Sequence, residues 1–391
     1  MQHLFWISVF LMFYTYVGYP LALWLILRSK GAAQPEVVGD SASPNVSIVI
    51  SARNEEQTIE NRLLDILKQT YPMGSLELVI VSDGSTDGTV SKLREMVPTL
   101  ESAGLNRVDI VDLADNAGKP NALNLAAQRC QGEILVMADA RQTFDSNAIT
   151  ALVAELQDPV VGCVSGELHL IEDDEARGSG VEMGLYWKYE RFIRGAESKI
   201  SSVIGMTGAI YAIRKPLYSK IPEDTLIDDV LIPMNVIRQG FRAKFTSSAR
   251  AFDKVSISPG QEWQRKVRTM AGNWQLVLRY PWLLSPKQNP AFISFLSHKV
   301  MRLLVPFLIV TTLLGGFILM TPFYIAAATT LLLGLSVGLL GVILPLSRNV
   351  RIVSLAFFFL VLNAAVVVGL CRYLDPRKDM LWTDAHKDQP W

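Results

Sequence analysis

Long uncharged apolar runs lie near both ends of the chain, whereas its middle alternates short apolar runs with polar turns. The first run, residues 4–27, is long enough to cross about 30 Å of hydrocarbon as a helix. Three further runs near the other end are separated by short turns and cover residues 303–320, 323–346 and 352–370. The pattern predicts a multi-pass membrane protein with one span before, and several spans after, a polar middle.

The competing interpretation of residues 4–27 is a cleaved signal peptide. The run is longer than the apolar core of such a peptide, and no basic segment precedes it, so we expect a retained span. Arg28 and Lys30 follow it, and basic residues cluster before the C-terminal runs, so the positive-inside rule predicts a cytoplasmic middle. The basic tail falls on the opposite side in a simple count, which leaves the number of spans open by one.

The middle of the chain predicts an α/β domain, because strand-like runs alternate with helical patterns. The strand-like runs cover residues 46–50, 76–81, 108–113 and 134–138. A helical pattern follows the first of them, and another occupies residues 121–130. This order predicts a mostly parallel sheet with helices on both faces.

The patterns divide the chain into six segments. They are an N-terminal membrane helix at 1–28, a linker at 29–45, the α/β domain at 46–258, an amphipathic interface segment at 259–299, C-terminal membrane helices at 300–371 and a tail at 372–391. Within the interface segment, Trp263, Trp274, Tyr280 and Trp282 are mixed with arginine and lysine over residues 262–284. That mixture predicts either a helix lying in the membrane plane or a solvated helix packing on the α/β domain.

Charge and cysteine content exclude several classes of function. The 37 Lys and Arg residues balance 37 Asp and Glu residues, so bulk charge gives no reason to expect nucleic acid binding. Cys130, Cys163 and Cys371 are odd in number and widely spaced, which fits a reducing compartment and neither a disulfide framework nor a zinc site. The chain has no P-loop and no G-x-G-x-x-G motif, so carboxylates and loop amides would have to hold a nucleotide.

Carboxylates stand at three positions that suit ligand binding or catalysis. Asp83 and Asp139 follow apolar strand runs, where ligands of open α/β sheets bind, and Asp139 could hold a divalent cation. Asp228 and Asp229 precede a helical run, and neighbouring carboxylates raise each other's pKa, which suits a general base. Each position also has a purely structural interpretation, since aspartate caps helices, forms turns and makes surface ion pairs.

A dense basic cluster, Gln264-Arg265-Lys266-Val267-Arg268, precedes the C-terminal apolar runs. Its arginines could bind phosphate groups through paired N–H donors. The alternative is that they are basic residues lying at the membrane surface.

In this order, the segments resemble the membrane-embedded family 2 glycosyltransferases, the group of cellulose, hyaluronan and poly-N-acetylglucosamine synthases. The resemblance rests on the turn Arg53-Asn54-Glu55, on Asp83, on Asp139-Ala140-Arg141, on Ile227-Asp228-Asp229 and on the basic cluster. It covers most of the chain. It implies a GT-A-like nucleotide-sugar-binding domain flanked by transmembrane helices.

The resemblance also implies a role for each motif. Asp229, with Asp228 beside it, would be the catalytic base. The donor-binding residues would be Arg53, Glu55, Asp83, Lys119, Asp139, Arg141, Gln264, Arg265 and Arg268. Thr207 and Gly208 would belong to the acceptor-binding loop, and Asp139 would hold Mg²⁺ or Mn²⁺.

Two positions depart from the family pattern. Arg141 replaces the second aspartate of the D-x-D motif, so a metal would lose one ligand and Arg141 could instead neutralise phosphate directly. Thr269 replaces the tryptophan of the Q-x-x-R-W motif, which puts the length or identity of the product in doubt. Trp274 is the nearby candidate that could compensate in acceptor binding.

The function implied by the resemblance is inverting sugar transfer at a bacterial inner membrane. The donor would be a nucleotide diphosphate sugar, expected to be UDP-linked, and the acceptor a growing β-linked polysaccharide. Accessory export subunits would be further partners. Three alternatives stay open, namely non-processive glycosylation of a membrane lipid, a degenerate nucleotide-binding regulator, and a transporter, which the uncharged runs at 303–320 and 323–346 disfavour.

Overall fold

The computed structural model describes residues 1–30, 43–171, 180–254 and 259–375, and in them the α/β domain is built on an eight-stranded sheet. The strands are β1 (Val46–Ala52), β2 (Leu76–Asp83), β3 (Arg107–Leu113), β4 (Ile134–Asp139), β5 (Thr143–Phe144), β6 (Val161–Ile171), β7 (Ile210–Arg214) and β8 (Arg242–Lys254). Their order across the sheet is β3-β2-β1-β4-β7-β6-β8-β5. Most of the predicted linker and tail lies outside the described residues.

The sheet is mixed, with a parallel half formed by β3, β2, β1 and β4. Strand β7 runs antiparallel to both β4 and β6, β8 is parallel to β6, and β5 is antiparallel to β8. Parallel pairings are therefore the majority, as the β–α alternation predicts. The sequence pattern missed β5, β6, β7 and β8, because β5 and β7 are short and polar residues interrupt β6 and β8.

Helices cover both faces of the sheet, and other helices form the apolar ends of the chain. They are α1 (Gln2–Phe13), α2 (Tyr19–Lys30), α3 (Ile59–Ile66), α4 (Thr89–Ser102), α5 (Lys119–Arg129), α6 (Ala148–Glu155), α7 (Gly180–Ile200), α8 (Asp228–Arg238), α9 (Pro259–Arg279), α10 (Phe292–Phe295), α11 (Met301–Ile318), α12 (Pro322–Ile343) and α13 (Arg351–Leu374). One π-helical turn, Tyr14–Gly18, joins α1 to α2, and another, Leu296–Val300, joins α10 to α11.

Successive residues of β1 enter two different hydrophobic clusters. Ile48 and Ile50 pack with side chains from α3, α4 and α6, whereas Val49 packs with side chains from α5 and α8. The alternation follows from the two-residue period of a strand, and burial on both faces explains why the run is apolar throughout. The central strands are held in register, so that Ser51 pairs with Asp139 at the carboxyl edge of the sheet.

Within the described residues, four helical segments are long and apolar enough to cross a membrane. They are Gln2–Ser29, Phe292–Ile318, Pro322–Ile343 and Arg351–Leu374. Each overlaps one of the apolar runs in the sequence. The second segment begins at Phe292 rather than near residue 300, because the π-helical turn carrying His298 and Lys299 continues the helix where polar residues suggested a boundary.

Helix α9 lies between the α/β domain and the membrane helices. A Cβ atom on Gly272 would approach Cγ2 of Ile227 to 2.7 Å, so the helix packs closely on the segment before α8. On the other side, the indole N–H of Trp274 donates a hydrogen bond to the Val366 carbonyl of α13 over 3.0 Å. Of the two interpretations of this segment, packing on the α/β domain is observed, and α9 also contacts the membrane helices.

Candidate active site

The carboxyl ends of β1, β2 and β4 meet at one edge of the sheet, and the predicted donor-binding motifs follow them. Arg53 and Glu55 lie just after β1, Asp83 is the last residue of β2, and Asp139 is the last residue of β4. This edge, which we call the donor edge, is where ligands of open α/β sheets bind. The fold therefore brings together motifs that are 30 to 86 residues apart in the chain, counted from Arg53 to Asp83 and to Asp139.

Asp83 holds the loop that leads into α5. Its Oδ1 accepts a hydrogen bond from the Ala117 N–H over 2.7 Å, and its Oδ2 accepts one from the Gly118 N–H over 2.9 Å. Gly118 has a φ of 89°, in the left-handed region that favours glycine. Both carboxylate oxygens are thus engaged by the backbone, and the contact with a nucleotide base stays a prediction.

The turn after β1 carries a buried N–H group with no hydrogen-bond partner among the described residues, namely Nε of Arg53. The Asn54 side chain accepts a hydrogen bond from the Thr86 N–H over 2.8 Å, which ties this turn to the one after β2. Orphaned buried donors are rare in folded proteins, so this one favours a ligand oxygen at the turn. Burial raises the pKa of the neighbouring Glu55 carboxyl, which disfavours a negative charge there.

Lys119 and Asp139 form an ion pair across the donor edge, with 2.7 Å between Nζ and Oδ1. Lys119 is the first residue of α5, and the unpaired N–H groups of a helix N-terminus favour anions. Burial by itself would lower the pKa of Lys119, but the carboxylates of Asp139 and Asp228 raise it above its ordinary value. Lys119 therefore stays charged, as a diphosphate ligand would require.

Arg141 forms an ion pair with Asp253 of β8. Its Nη2 donates to Oδ2 of Asp253 over 2.5 Å, and Gln142 donates to the same oxygen over 3.0 Å. Nε of Arg141, like that of Arg53, is buried without a hydrogen-bond partner in the part of the chain that is described. No group of three His, Cys, Asp or Glu side chains that could hold a metal occurs among those residues. The donor edge carries the cationic side chains of Arg53, Lys119 and Arg141.

Asp228 and Asp229 open helix α8 beside the loop 205–208, which we call the acceptor loop. The Met206 N–H donates a hydrogen bond to the Asp229 carbonyl over 2.7 Å. A Cβ atom on Gly208 would lie 3.6 Å from Oδ2 of Asp229, so a small group bound at Gly208 would contact the carboxylate. Burial, reinforced by Asp228, raises the pKa of Asp229 to about 6. That value leaves the side chain mostly ionised at neutral pH and able to accept a proton.

Within the basic cluster, Arg268 is half-buried and lies beside the start of α8, whereas Gln264 and Arg265 are exposed. Arg268 donates to the Leu226 carbonyl over 3.3 Å, immediately before α8. Burial lowers the pKa of Arg268, and the carboxylates of Asp228 and Asp229 oppose that effect, which places its charge beside them. Gln264 and Arg265 are exposed on α9, and their contact with a donor stays a prediction.

Trp274 packs among the membrane helices. It is buried in a cluster with Leu303 and Val366, and its indole N–H is already used by the Val366 carbonyl. The Thr269 hydroxyl donates to the Arg265 carbonyl within the same helix. The acceptor role of Trp274 stays a prediction. Its packing against Leu303 and Val366 is a separate, structural role of the same side chain.

Sequence patterns missed three polar side chains beside this site. Gln275 accepts from the Leu226 N–H and donates to the Asp224 carbonyl, which fixes the segment before α8. Arg194 on α7 donates to Thr207 of the acceptor loop. Lys299, in the second membrane segment, lowers the pKa of Asp229 against the effect of burial. Lys299 alone had a signal in the sequence, because ionisable residues in membrane segments are commonly functional.

Residues 47–221, which make up most of the α/β domain, match the family described as Glycosyl transferase family 2. The predicted enzyme class, a membrane-type family 2 glycosyltransferase, is thereby confirmed, as is the predicted GT-A-like fold beside apolar helices.

Two relatives and one solved structure illustrate the similarity. The chain is 23% identical over 238 residues to the poly-beta-1,6-N-acetyl-D-glucosamine synthase of Staphylococcus aureus (strain COL), covering 60% of this chain and 56% of the relative. It is 25% identical over 246 residues to the probable glycosyltransferase YdaM of Bacillus subtilis (strain 168), covering 61% and 57%. The matches thus span little more than half of each relative.

The solved structure is that of the mannosyltransferase PcManGT from Pyrobaculum calidifontis in complex with GDP-Man and Mn²⁺. It superposes with a TM-score of 0.70 at 22% identity and covers 96% of this chain and 100% of the other. At that identity the similarity shows a shared fold.

Proposed function

We propose that this chain transfers a sugar from a UDP-linked donor to a growing β-linked polysaccharide at the membrane, with inversion at the anomeric carbon. The observation that carries the proposal is the position of Asp229, which lies next to Gly208 of the acceptor loop and interacts electrostatically with Lys119 and Asp139 of the donor edge. The relative named as a poly-N-acetylglucosamine synthase supports a polysaccharide acceptor and makes UDP-N-acetylglucosamine the first donor to test.

The cations of the donor edge would bind the diphosphate. Lys119 stands at the N-terminus of α5, and Arg53 and Arg141 each keep a buried Nε–H for an incoming oxygen. Arg268 adds positive charge beside the catalytic carboxylates. Fixed donors aimed at a developing negative charge stabilise a leaving group without reorganisation, and such stabilisation commonly contributes more to catalysis than any other single effect.

The transfer would be a single displacement. Asp229 removes the proton from an acceptor hydroxyl, whose oxygen attacks the anomeric carbon from the face opposite the diphosphate. The bond from that carbon to the diphosphate oxygen breaks, and the nucleoside diphosphate leaves with the electron pair. The proton stays on Asp229 until solvent takes it, and the anomeric configuration inverts.

Asp139 is the residue that would hold Mg²⁺ or Mn²⁺. Magnesium is commonly bound by one or two carboxylates together with substrate phosphates and water, so a single carboxylate at the diphosphate position fits such an ion. Bound there, the ion would neutralise charge on the diphosphate. Arg141 supplies positive charge where a second carboxylate would otherwise contribute a ligand.

We expect turnover of UDP-N-acetylglucosamine to stop when EDTA removes divalent cations and to return with Mg²⁺ or Mn²⁺. The reason is that Lys119 can offset the charge of Asp139 but not the charges of Asp139 and the diphosphate together, so a bound cation would still be needed. Nucleotide release by purified membranes, measured with and without the chelator, tests this. Undiminished turnover in EDTA would mean that Lys119 and Arg141 neutralise the diphosphate without a metal.

We expect kcat/KM for the donor to fall as the pH is lowered through about 6. Protonation of Asp229 removes the base, and its pKa of about 6 sets the midpoint of the acidic limb. Below that midpoint the rate should fall about tenfold per pH unit. A pH–rate profile at a donor concentration well below KM checks this, and a limb with its midpoint near the ordinary pKa of aspartate would mean that another group is the base.

Basic residues around the α/β domain favour a cytoplasmic active site, and the four apolar segments support a position for it at the membrane surface. A bacterial inner membrane and accessory export subunits belong to the same proposal. The apolar helices would then lie between the site of transfer and the opposite side of the membrane.

Purified membranes supplied with a panel of labelled UDP-sugars test the proposal. We expect one donor to release nucleotide and to leave its sugar in material that organic solvent does not extract. Label in the solvent phase would instead identify a membrane lipid as the acceptor. Failure of every donor, in protein shown to be folded, would contradict transfer and favour a nucleotide-binding regulator.

A further inference from the structure

Three charged residues form one stripe along helix α7. Glu190, Arg194 and Glu197 are spaced by four and then three residues, which places them on the same helical face. Arg194 therefore lies between the two glutamates, and whatever holds the glutamates also fixes the direction in which Arg194 points.

The membrane helices hold both glutamates. Glu197 accepts a hydrogen bond from the Tyr19 hydroxyl of α2 over 2.7 Å, and Nδ1 of His298 lies 3.0 Å from the same oxygen. The other ring nitrogen of His298 lies 3.0 Å from Glu190, which also pairs with Arg302. The N-terminal membrane segment and the second membrane segment thus both engage α7.

Arg194 reaches in turn to the acceptor loop. Its Nη1 donates to the Thr207 hydroxyl over 3.0 Å, and its Nη2 donates to the Ser165 hydroxyl of β6 over 2.7 Å and to the Gly205 carbonyl over 3.4 Å. The guanidinium carbon lies 4.9 Å from the centre of the Phe245 ring. These contacts involve the acceptor loop and its supporting strands rather than the donor edge.

The same loop is also bound by β6 and by the start of α8. The Thr207 N–H donates to the Ser165 hydroxyl over 2.8 Å, while the neighbouring Met206 N–H donates to the Asp229 carbonyl over 2.7 Å. Gly208, the next residue, is the one that approaches the Asp229 carboxylate. The loop is consequently held between Arg194 and the start of α8.

We propose that Arg194 is a positioning residue, which holds the acceptor loop at the distance from Asp229 that transfer requires and couples that distance to the membrane helices through α7. The catalytic part of this inference rests on the proposed function. Displacement of reacting groups by about 1 Å can cost about 10²-fold in rate, so loss of Arg194 acts on transfer although the side chain touches no reacting atom. Donor binding, which uses the donor edge, is left intact.

Hydrogen–deuterium exchange of the full-length protein in detergent tests the positioning role without any substrate. In Arg194→Met, amides of residues 205–208 are expected to exchange about tenfold faster, because the loop loses a charged contact of about 1.4 kcal/mol or more. Lys199→Met, which removes an exposed positive charge from the same helix, is the control and leaves this exchange unchanged. Unchanged exchange in Arg194→Met overturns the inference, whether or not the chain proves to be a transferase.

Kinetics with UDP-N-acetylglucosamine and membrane acceptor provide the second readout. Arg194→Met is expected to lower kcat about 10²-fold with a donor KM close to that of the wild type, and Arg194→Lys, which keeps the charge and one donor, to recover part of the loss. An unchanged kcat, or a matching loss of donor affinity, overturns the positioning role. Should Arg194→Met fail to fold, Arg194→Gln, which removes the charge but keeps a polar side chain, carries both readouts, and a wild-type rate and exchange in it decide against the inference. Absence of turnover by the wild type contradicts the proposed function instead.

Discussion

Asp229→Asn is expected to lower kcat by about 10²–10⁴-fold, the range that loss of a general base typically produces. Asparagine matches aspartate in size but cannot accept the acceptor's proton. Donor affinity should stay close to that of the wild type, because the diphosphate is bound by cations at the donor edge. Nucleotide release at saturating donor and calorimetric titration with the UDP-sugar measure the two quantities.

Asp224→Asn is the matched control for this substitution, since Asp224 lies four residues from Asp228 but is exposed and pairs with Arg279 at the surface. It should retain the wild-type kcat. An Asp229→Asn enzyme that keeps more than about a tenth of the rate would contradict the assignment of the base.

Asp229→Asn should not destabilise the protein. Because the pKa of Asp229 is raised to about 6 in the folded chain, folding favours the neutral carboxyl. The free energy of unfolding therefore decreases as the pH rises from the ordinary pKa of aspartate to about 6. The decrease is complete above that pH. At neutral pH the Asn variant should therefore show a Tm equal to or above that of the wild type. A lower Tm would attribute its loss of activity to folding.

Lys119→Met is expected to weaken binding of the UDP-sugar by about 10²-fold. Removing one partner of a desolvated charge pair typically costs about 2–5 kcal/mol, and here the Asp139 carboxylate would also be left facing the diphosphate. Titration calorimetry with UDP-N-acetylglucosamine measures the effect, and the donor KM should rise with it.

Lys68→Met provides the control for lost positive charge, because Lys68 is exposed just after α3. It should bind the donor as the wild type does. Equal donor affinity in Lys119→Met and in the wild type would mean that the ion pair with Asp139 is purely structural.

The donor edge was predictable from sequence because it depends on a local pattern. Each apolar run that ends in a polar turn marks a strand whose carboxyl end lies at the same edge, and this rule places Arg53, Asp83 and Asp139 together. The rule does not say what each side chain contacts. Asp83 is engaged by loop amides 34 and 35 residues away in the chain, and Arg141 by Asp253, which is 112 residues away.

The acceptor side was less predictable, because it is assembled from segments without periodic signals. Strands β6 and β8 are broken by polar residues, and Arg194 meets Thr207 through a helix whose direction is fixed by Tyr19 and His298. Trp274 shows the opposite difficulty. Its place near a motif suggested an acceptor contact, whereas its hydrogen bond to Val366 depends on how α9 meets α13.

The anomeric configuration of the transferred sugar tests the central claim most directly, since it reports whether Asp229 activates a hydroxyl for a single displacement. Membranes would be supplied with isotopically labelled UDP-N-acetylglucosamine, whose anomeric carbon is in the α configuration, and the product would be examined by NMR. We predict a β linkage, which Asp229→Asn forms about 10²–10⁴-fold more slowly. An α linkage, or a β linkage that the Asn variant forms at the wild-type rate, would contradict the account.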